Sequence, residues 1–102
     1  MLWEAIVNSF GQKPRDVQTI PFKGSGLWFY VSGQDDKVHI SKARNHTDSS
    51  QIQGIRLLDK HNCEVMFDLY QRRKRGEHVS SEAKAITRNQ VYWYGIFHEM
   101  KL

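Results

Sequence analysis

The sequence has little cysteine and proline and no long apolar run, and each shortage excludes a class of protein. Among 102 residues there are two prolines and one cysteine, Cys63. A single cysteine excludes an internal disulfide and a cysteine-based zinc cage, and Cys63 is expected to be a small core residue. No window has the length of a membrane span, and residues 1–10 lack the basic region and long apolar core of a signal peptide. We therefore expect a cytoplasmic protein without a membrane partner.

Motifs for catalysis or metal binding are also missing. The glycine-rich run at residues 23–26 lacks the spacing of phosphate-binding loops and precedes a strand instead of a helix. The five histidines are dispersed, without the paired spacing of a zinc helix. Acid-x-Lys runs at residues 35–37 and 82–84 match the carboxylates and lysine of Mg²⁺-dependent nucleases too loosely to predict a site. We expect no enzyme activity, no cofactor and no metal site, and no small-molecule substrate is evident.

The composition is that of one globular domain with a moderate excess of positive charge. Fifteen Lys and Arg residues outnumber eleven Asp and Glu residues, so the formal net charge is +4. A chain of 102 residues suits a single domain, residues 1–102, with a modest core. The charge permits an anionic partner such as nucleic acid, but it is far below that of histone-like proteins.

The first half of the chain predicts a helix followed by a three-stranded antiparallel meander. Apolar residues recur at helical spacing from Leu2 to Phe10, and Gly11 is expected to end this opening helix. Short apolar runs separated by turn residues then predict strands. The strands are expected at residues 17–22, 27–31 and 37–41, with turns at residues 23–26 and 32–36.

The second predicted strand has aromatic side chains on both faces. Trp28 and Tyr30 alternate with Phe29 and Val31, so at least one face should be covered by helix. Large aromatic residues on strands usually belong to a core. The alternative is that Trp28 and Tyr30 stack on the bases of a single-stranded nucleic acid. Aromatic side chains on open sheet faces of other single-strand-binding proteins do so.

The stretch from residue 48 to residue 76 predicts the main helix of the protein. It contains no proline, its apolar residues recur at helical spacing, and Asp48 and Gln51 have the spacing of a capping box. Asp59 and Asn62 interrupt the apolar side. Either the helix breaks near residues 60–62, with Asn62 capping a second segment, or both polar side chains are buried and hydrogen-bonded.

Two segments carry the excess charge of the chain. They comprise Arg72, Arg73, Lys74 and Arg75 at the predicted helix end, and Lys37, Lys42 and Arg44 in a stretch without acidic residues. Cations in a last turn complement the helix dipole, and charge runs are usually solvated surfaces. The alternative is that both segments contact the phosphates of nucleic acid. Contact with nucleic acid by a non-enzymatic basic module is our first functional hypothesis.

The C-terminal residues predict a helix that is apolar nearly all round. Thr87 and Gln90 have capping-box spacing, which places the helix at about residues 88–100, after a helical turn near residues 80–85. A helix of this kind is either deeply buried or shared with a partner. The second functional hypothesis is therefore a protein-interaction module, a homodimer by expectation. Its predicted contact residues are Tyr92, Trp93, Ile96 and Phe97.

The runs from Gly76 to Ala83 and from Thr87 to Trp93 resemble the C-terminal part of small bacterial proteins encoded in mobile integron gene cassettes. The glycine turn and aromatic strand at residues 20–31 fit the same family. This resemblance implies a small α+β fold, often dimeric and mostly without assigned activity, and it carries no catalytic residue over to this chain.

These patterns together predict one α+β domain. Its N-terminal helix precedes the three-stranded antiparallel meander, which packs under a long central helix from Ser49 to Arg75, either continuous or broken near residues 60–62. The C-terminal helix closes the core or a dimer.

Overall fold

A four-stranded antiparallel sheet and four α-helices make up the fold, described by a computed structural model for residues 1–102. The α+β class is confirmed, and the sheet has one strand more than predicted. The elements are α1 (Leu2–Gln12), β1 (Arg15–Gln18), β2 (Trp28–Gln34), β3 (Lys37–Lys42), β4 (Arg56–Leu57), a 3₁₀ turn (Lys60–Asn62), α2 (Cys63–Lys74), α3 (Ser80–Ile86) and α4 (Gln90–Glu99).

The strands follow one another in the order β1-β2-β3-β4, and each pair is antiparallel. Phe29 and Val31 of β2 are fully buried on the inner face, against which α1 and α4 pack. Trp28 and Tyr30 alternate with them and are half-buried on the outer face. Helix α2 packs on α4, so the helices form one layer and the outer face of the sheet is not covered by a helix. We call this outer surface the open face.

The turn between β2 and β3 is shorter than the predicted one at residues 32–36. It contains only Asp35 and Asp36, whose φ values are 53° and 59°. Two left-handed residues make the hairpin turn whose twist matches that of the strands. Asp36 is held there by the indole of Trp3, whose Nε1 donates to its carboxylate at 3.0 Å, and by Lys60, whose Nζ donates at 3.0 Å.

The prediction of one helix from Ser49 to Arg75 was wrong in its first half. Residues 49–59 contain no helix, and β4 pairs with β3 through Leu57, opposite His39. The ladder with β3 satisfies backbone groups that a helix would have satisfied internally, and Gly54 has a left-handed φ of 65°. The capping-box spacing of Asp48 therefore marks no helix start.

The helix does begin near the predicted break. The exposed carboxylate of Asp59 accepts a hydrogen bond from the backbone N–H of His61 at 2.9 Å and so caps the 3₁₀ turn. Asn62 precedes α2 but makes no side-chain capping bond. Cys63, the first residue of α2, is a free, buried cysteine, and burial raises the pKa of its thiol to about 11. This confirms the core position expected for Cys63.

Helix α4 begins at Gln90, and its apolar circumference is explained by the burial of residues 92–97. Trp93, Ile96 and Phe97 have no exposed surface, and Tyr92 is 9% exposed. Gly95 lets the helix lie close to β1, because a methyl group at this position would lie 2.9 Å from the Gln18 carbonyl oxygen. None of the helices has the length and apolar composition needed to cross a membrane.

Candidate nucleic-acid interface

The first cation of the predicted helix-end patch is engaged within the chain. Arg72 donates through Nε to Glu77 at 2.9 Å and through both terminal nitrogens to Glu82 at 2.8 Å. These hydrogen bonds hold the pKa values of both carboxyl groups below their ordinary range. The charge of Arg72 is therefore compensated twice over on the surface of the protein.

The next two cations of the patch contact the chain's own backbone. Arg73 Nη2 donates to the Ile20 carbonyl oxygen at 2.6 Å. Lys74 Nζ donates to a main-chain oxygen of Leu102 at 2.9 Å. Arg75 has a 63% exposed side chain, and its one carboxylate contact, with Glu77, is long at 3.4 Å. Arg75 is therefore the most available cation of the patch.

The second basic segment lies in another layer of the molecule. Lys37 alternates with the buried Val38 at the start of β3, so it projects on the open face. Lys42 ends the same strand and is exposed, but it shares the parity of Ile40 and leaves the sheet on the helix side. Arg44 follows in the loop of residues 43–47. The structure therefore does not bring the two predicted basic segments onto one surface.

A buried aspartate of β1 pins this loop to the open face. The Asp16 side chain is 2% exposed, and its carboxylate accepts from the backbone N–H groups of Arg44 at 2.9 Å and Asn45 at 2.7 Å. It also contacts His46 Nδ1 at 2.8 Å. Burial raises the pKa of the Asp16 carboxyl, but the hydrogen bonds from Arg44, His46 and Asn45 outweigh it and leave the pKa below the ordinary value of 3.8.

The pinned loop places two planar side chains on the aromatic residues of β2. The His46 ring stacks on Trp28 with a centroid distance of 3.5 Å and an interplanar angle of 8°. The Arg44 guanidinium carbon lies 3.9 Å from the centre of the Tyr30 ring. An ionised carboxylate only accepts, so Nδ1 of His46 carries the proton shared with Asp16. The open face thus bears two stacked pairs side by side.

The alternation in sequence predicted the common face of Trp28 and Tyr30 correctly but missed the part played by Asp16. An aspartate beside Val17 in a short strand gives no sign of burial. Its partners Arg44, Asn45 and His46 are 28, 29 and 30 residues away. No local pattern spans such a separation, because only the pairing of β1 with β2 brings Asp16 under the loop.

The four predicted interface residues of α4 lie inside the core of the single chain. Their buried side chains are those of Tyr92, Trp93, Ile96 and Phe97. The exposed part of the helix consists of Val91, His98 and Glu99. A partner could reach the predicted residues only after the core had opened. Homodimer formation stays a prediction, and it would require other contacts.

Two carboxylates of the acid-x-Lys runs are occupied by neighbours, whereas Asp35 makes no hydrogen bond or ion pair. Asp36 is bonded to Trp3 and Lys60, and Glu82 is bonded to Arg72. No group of three or more His, Cys, Asp or Glu side chains is close enough together to hold a metal ion.

Comparison with known proteins finds no matching family model, no similar curated protein and no similar solved structure. The resemblance to proteins of integron gene cassettes therefore stays a prediction, and function has to be argued from the residues of this chain.

Proposed function

We propose that the protein is a non-enzymatic module that binds single-stranded nucleic acid on the open face of its sheet. The observation that carries this proposal is the pair of stacks, His46 on Trp28 and Arg44 on Tyr30, on the face without helices. Unpaired bases stack on aromatic rings and on guanidinium planes without regard to sequence. Two neighbouring planar stacks suit successive bases of one strand.

Free cations on the same side supply contacts for phosphates. The guanidinium of Arg44 and the ammonium of Lys37 make no hydrogen bond or ion pair within the chain, although Arg44 is fixed in place through its backbone. A guanidinium that stacks through its face keeps its N–H edge available for phosphate oxygens. Lys42 is exposed but leaves the sheet on the helix side, so it is not counted among these cations.

Because the open face has few free cations, the affinity for nucleic acid should depend only modestly on salt concentration. Two neutralised phosphates of a single strand predict that log K falls with log salt concentration with a slope of about −1.4. The cations Arg72 to Arg75 lie in the helical layer and are not needed for this contact. The proposal therefore replaces the predicted helix-end surface with the open face.

Fluorescence anisotropy with a labelled oligothymidylate at several salt concentrations tests this proposal. Arg44→Gln should weaken binding about tenfold, the loss of one charge-assisted contact. Arg75→Gln is the matched control, since it removes the same charge from an exposed position in the helical layer. It should leave the affinity unchanged within about twofold.

Two outcomes would contradict the proposal. One is the absence of binding at low salt. The other is an equal loss of affinity in Arg44→Gln and Arg75→Gln, which would indicate a diffuse attraction to net charge instead of a site. A matched duplex should bind more weakly than the single strand, because its bases are not free to stack.

A further inference from the structure

A cavity of about 280 Å³ lies in the helical layer, away from the open face. It opens to solvent and is bordered by the connection between β1 and β2 and by residues of α2, α3 and α4. Its size is close to the lower limit of about 300 Å³ for small-molecule pockets. We call it the Arg73 pocket. Its lining includes Ile20, Phe22, Arg73, Lys84, Val91 and Tyr94.

The charge of the Arg73 pocket is one-sided. Its lining includes the cations Arg73 and Lys84 and contains no aspartate or glutamate. Neither cation forms an ion pair with a carboxylate of the chain, in contrast to the neighbouring Arg72. A cavity with two uncompensated cations and no acid favours an anionic occupant.

The Arg73 guanidinium is already positioned for such an occupant. It lies 4.2 Å from the ring centre of Phe22 and 5.1 Å from that of Tyr94, and Nη2 donates to the Ile20 carbonyl oxygen. These contacts fix the plane of the group, while Nε and Nη1 have no partner within the chain. A fixed guanidinium with free N–H groups binds a carboxylate with little further loss of side-chain freedom.

The ring of Tyr94 contributes to the wall of the Arg73 pocket. Tyr94 lines the cavity and is 6% exposed, and its buried hydroxyl makes no hydrogen bond. Buried polar groups in proteins are nearly always hydrogen-bonded, because an unpaired one costs free energy. The hydroxyl oxygen has less than 1 Å² of exposed surface, so an occupant of the pocket contacts the ring of Tyr94 and not its hydroxyl.

The other lining residues of the Arg73 pocket determine which kind of group the ligand carries beside its anionic group. Ile20, Pro21, Ala83 and Val91 give the cavity a mainly apolar surface. A phosphate or other multiply charged anion would lose its hydration against this wall without enough donors in return. A single carboxylate on an apolar group matches both parts of the lining.

We propose that the Arg73 pocket binds a small monocarboxylate with an aromatic or branched apolar body. The carboxylate pairs with Arg73 and Lys84, and the apolar body lies against Ile20, Val91 and the ring of Tyr94. This site is separate from the proposed nucleic-acid surface and does not depend on it.

Titration of the ¹⁵N-labelled protein with phenylacetate, followed by amide NMR shifts, tests the proposal. Shifts should concentrate at residues 19–22, 73, 80–84 and 90–94, with an affinity in about the millimolar range or tighter. Phenylacetamide has the same shape without the charge, and it should bind at least about tenfold more weakly.

Variants of the pocket distinguish the loss of a charge contact with the ligand from a loss of the fold. Lys84→Gln changes an exposed side chain of α3, should fold normally and should weaken phenylacetate binding about threefold to tenfold. Arg73→Gln should weaken it further, but it also removes the bond to Ile20, so its fold is checked by circular dichroism. Arg75→Gln, two residues from Arg73 and outside the lining, is the matched control.

Three results would overturn the proposal. They are the absence of shifts at about 10 mM phenylacetate, a concentration that would detect even millimolar binding; equal binding of acid and amide; and an equal effect of Lys84→Gln and Arg75→Gln. Loss of oligonucleotide binding in Arg44→Gln bears only on the open face, so the two proposals fail independently.

Discussion

Replacement of Asp16 by alanine is expected to lower the free energy of unfolding by about 2–3 kcal/mol, the value of the hydrogen bonds that a buried carboxylate accepts. The change leaves the backbone N–H groups of Arg44 and Asn45 and the ring of His46 without their acceptor. We expect the loop of residues 43–47 to leave the open face. Urea unfolding measures the stability, and amide hydrogen exchange at Arg44 and Asn45 measures the release.

The pH dependence distinguishes this carboxylate from a merely space-filling residue. The pKa of Asp16 in the folded protein lies below its ordinary value of 3.8, so its contribution is present above that value and is lost as pH falls through the folded pKa. The stability difference between wild type and Asp16→Ala should be full at pH 6 and should shrink below about pH 4. A difference that does not change with pH would contradict the role of the ionised carboxylate.

Asp68→Ala is a suitable control for this experiment. Asp68 is exposed on α2 and makes no hydrogen bond or ion pair. Its removal should change stability by less than about 0.5 kcal/mol, the usual limit for surface substitutions. Asp16→Ala should also weaken oligonucleotide binding if Arg44 and His46 form the proposed stacking surface, because both side chains depend on the pinned loop.

Replacement of Gly33 by alanine is expected to destabilise the protein by about 2–3 kcal/mol, as overpacking of a rigid contact does. Gly33 lies in β2 at the point where α1 crosses the sheet. An added methyl group would be 2.3 Å from the Val7 carbonyl oxygen and 3.1 Å from the Val7 Cα atom. These are backbone atoms of a helix, so relief requires α1 to move away from the sheet. Thermal and urea unfolding measure the loss.

Gly11→Ala is the matched control, because it makes the same substitution on the other side of the same crossing. Its methyl group would lie 3.1 Å from the Gly33 carbonyl oxygen, a contact that a small shift relieves. Alanine is also favoured over glycine in a helix by about 1 kcal/mol, which offsets the contact. Equal destabilisation by both substitutions would show that close approach at Gly33 does not govern the packing of α1.

Gly33 also illustrates where local turn rules fail. The predicted turn of residues 32–36 used Gly33 as a turn residue, as glycine near two aspartates suggests. The turn instead uses the left-handed Asp35 and Asp36, and Gly33 stays in the strand because a helix backbone lies against it. From the sequence alone, Gly33 is compatible both with a turn and with a close approach of another backbone to the strand.

Several elements could be predicted because their signals are local. The helical spacing of Trp3, Ile6 and Phe10 predicted α1, and all three are buried as expected. The alternation in β2 and β3 predicted the faces of both strands. The apolar composition of α4 predicted a deeply buried or shared helix, and the structure shows deep burial inside one chain.

The first half of the predicted central helix could not be corrected from sequence. Residues 49–59 carry apolar residues at helical spacing, but they form no helix because β3 offers a sheet edge and Trp28 bonds to the backbone at residues 48 and 50. Strand pairing with residues that are distant in the sequence competes with helix formation, and the local helix propensity of these residues is too weak to prevent it.

The sequence by itself determined the α+β class, the single buried cysteine, the amphipathic opening helix and the two-faced strand with Trp28 and Tyr30. These features could be predicted because hydrophobic periodicity and composition depend only on residues that are close together in the sequence. Only the tertiary structure decided that Asp16 pins the loop over that strand, that the basic segments lie in different layers, and that Arg73 faces a cavity without an acid. These features join residues that are distant in the chain, and their contacts exist only after the sheet and the helical layer have packed together.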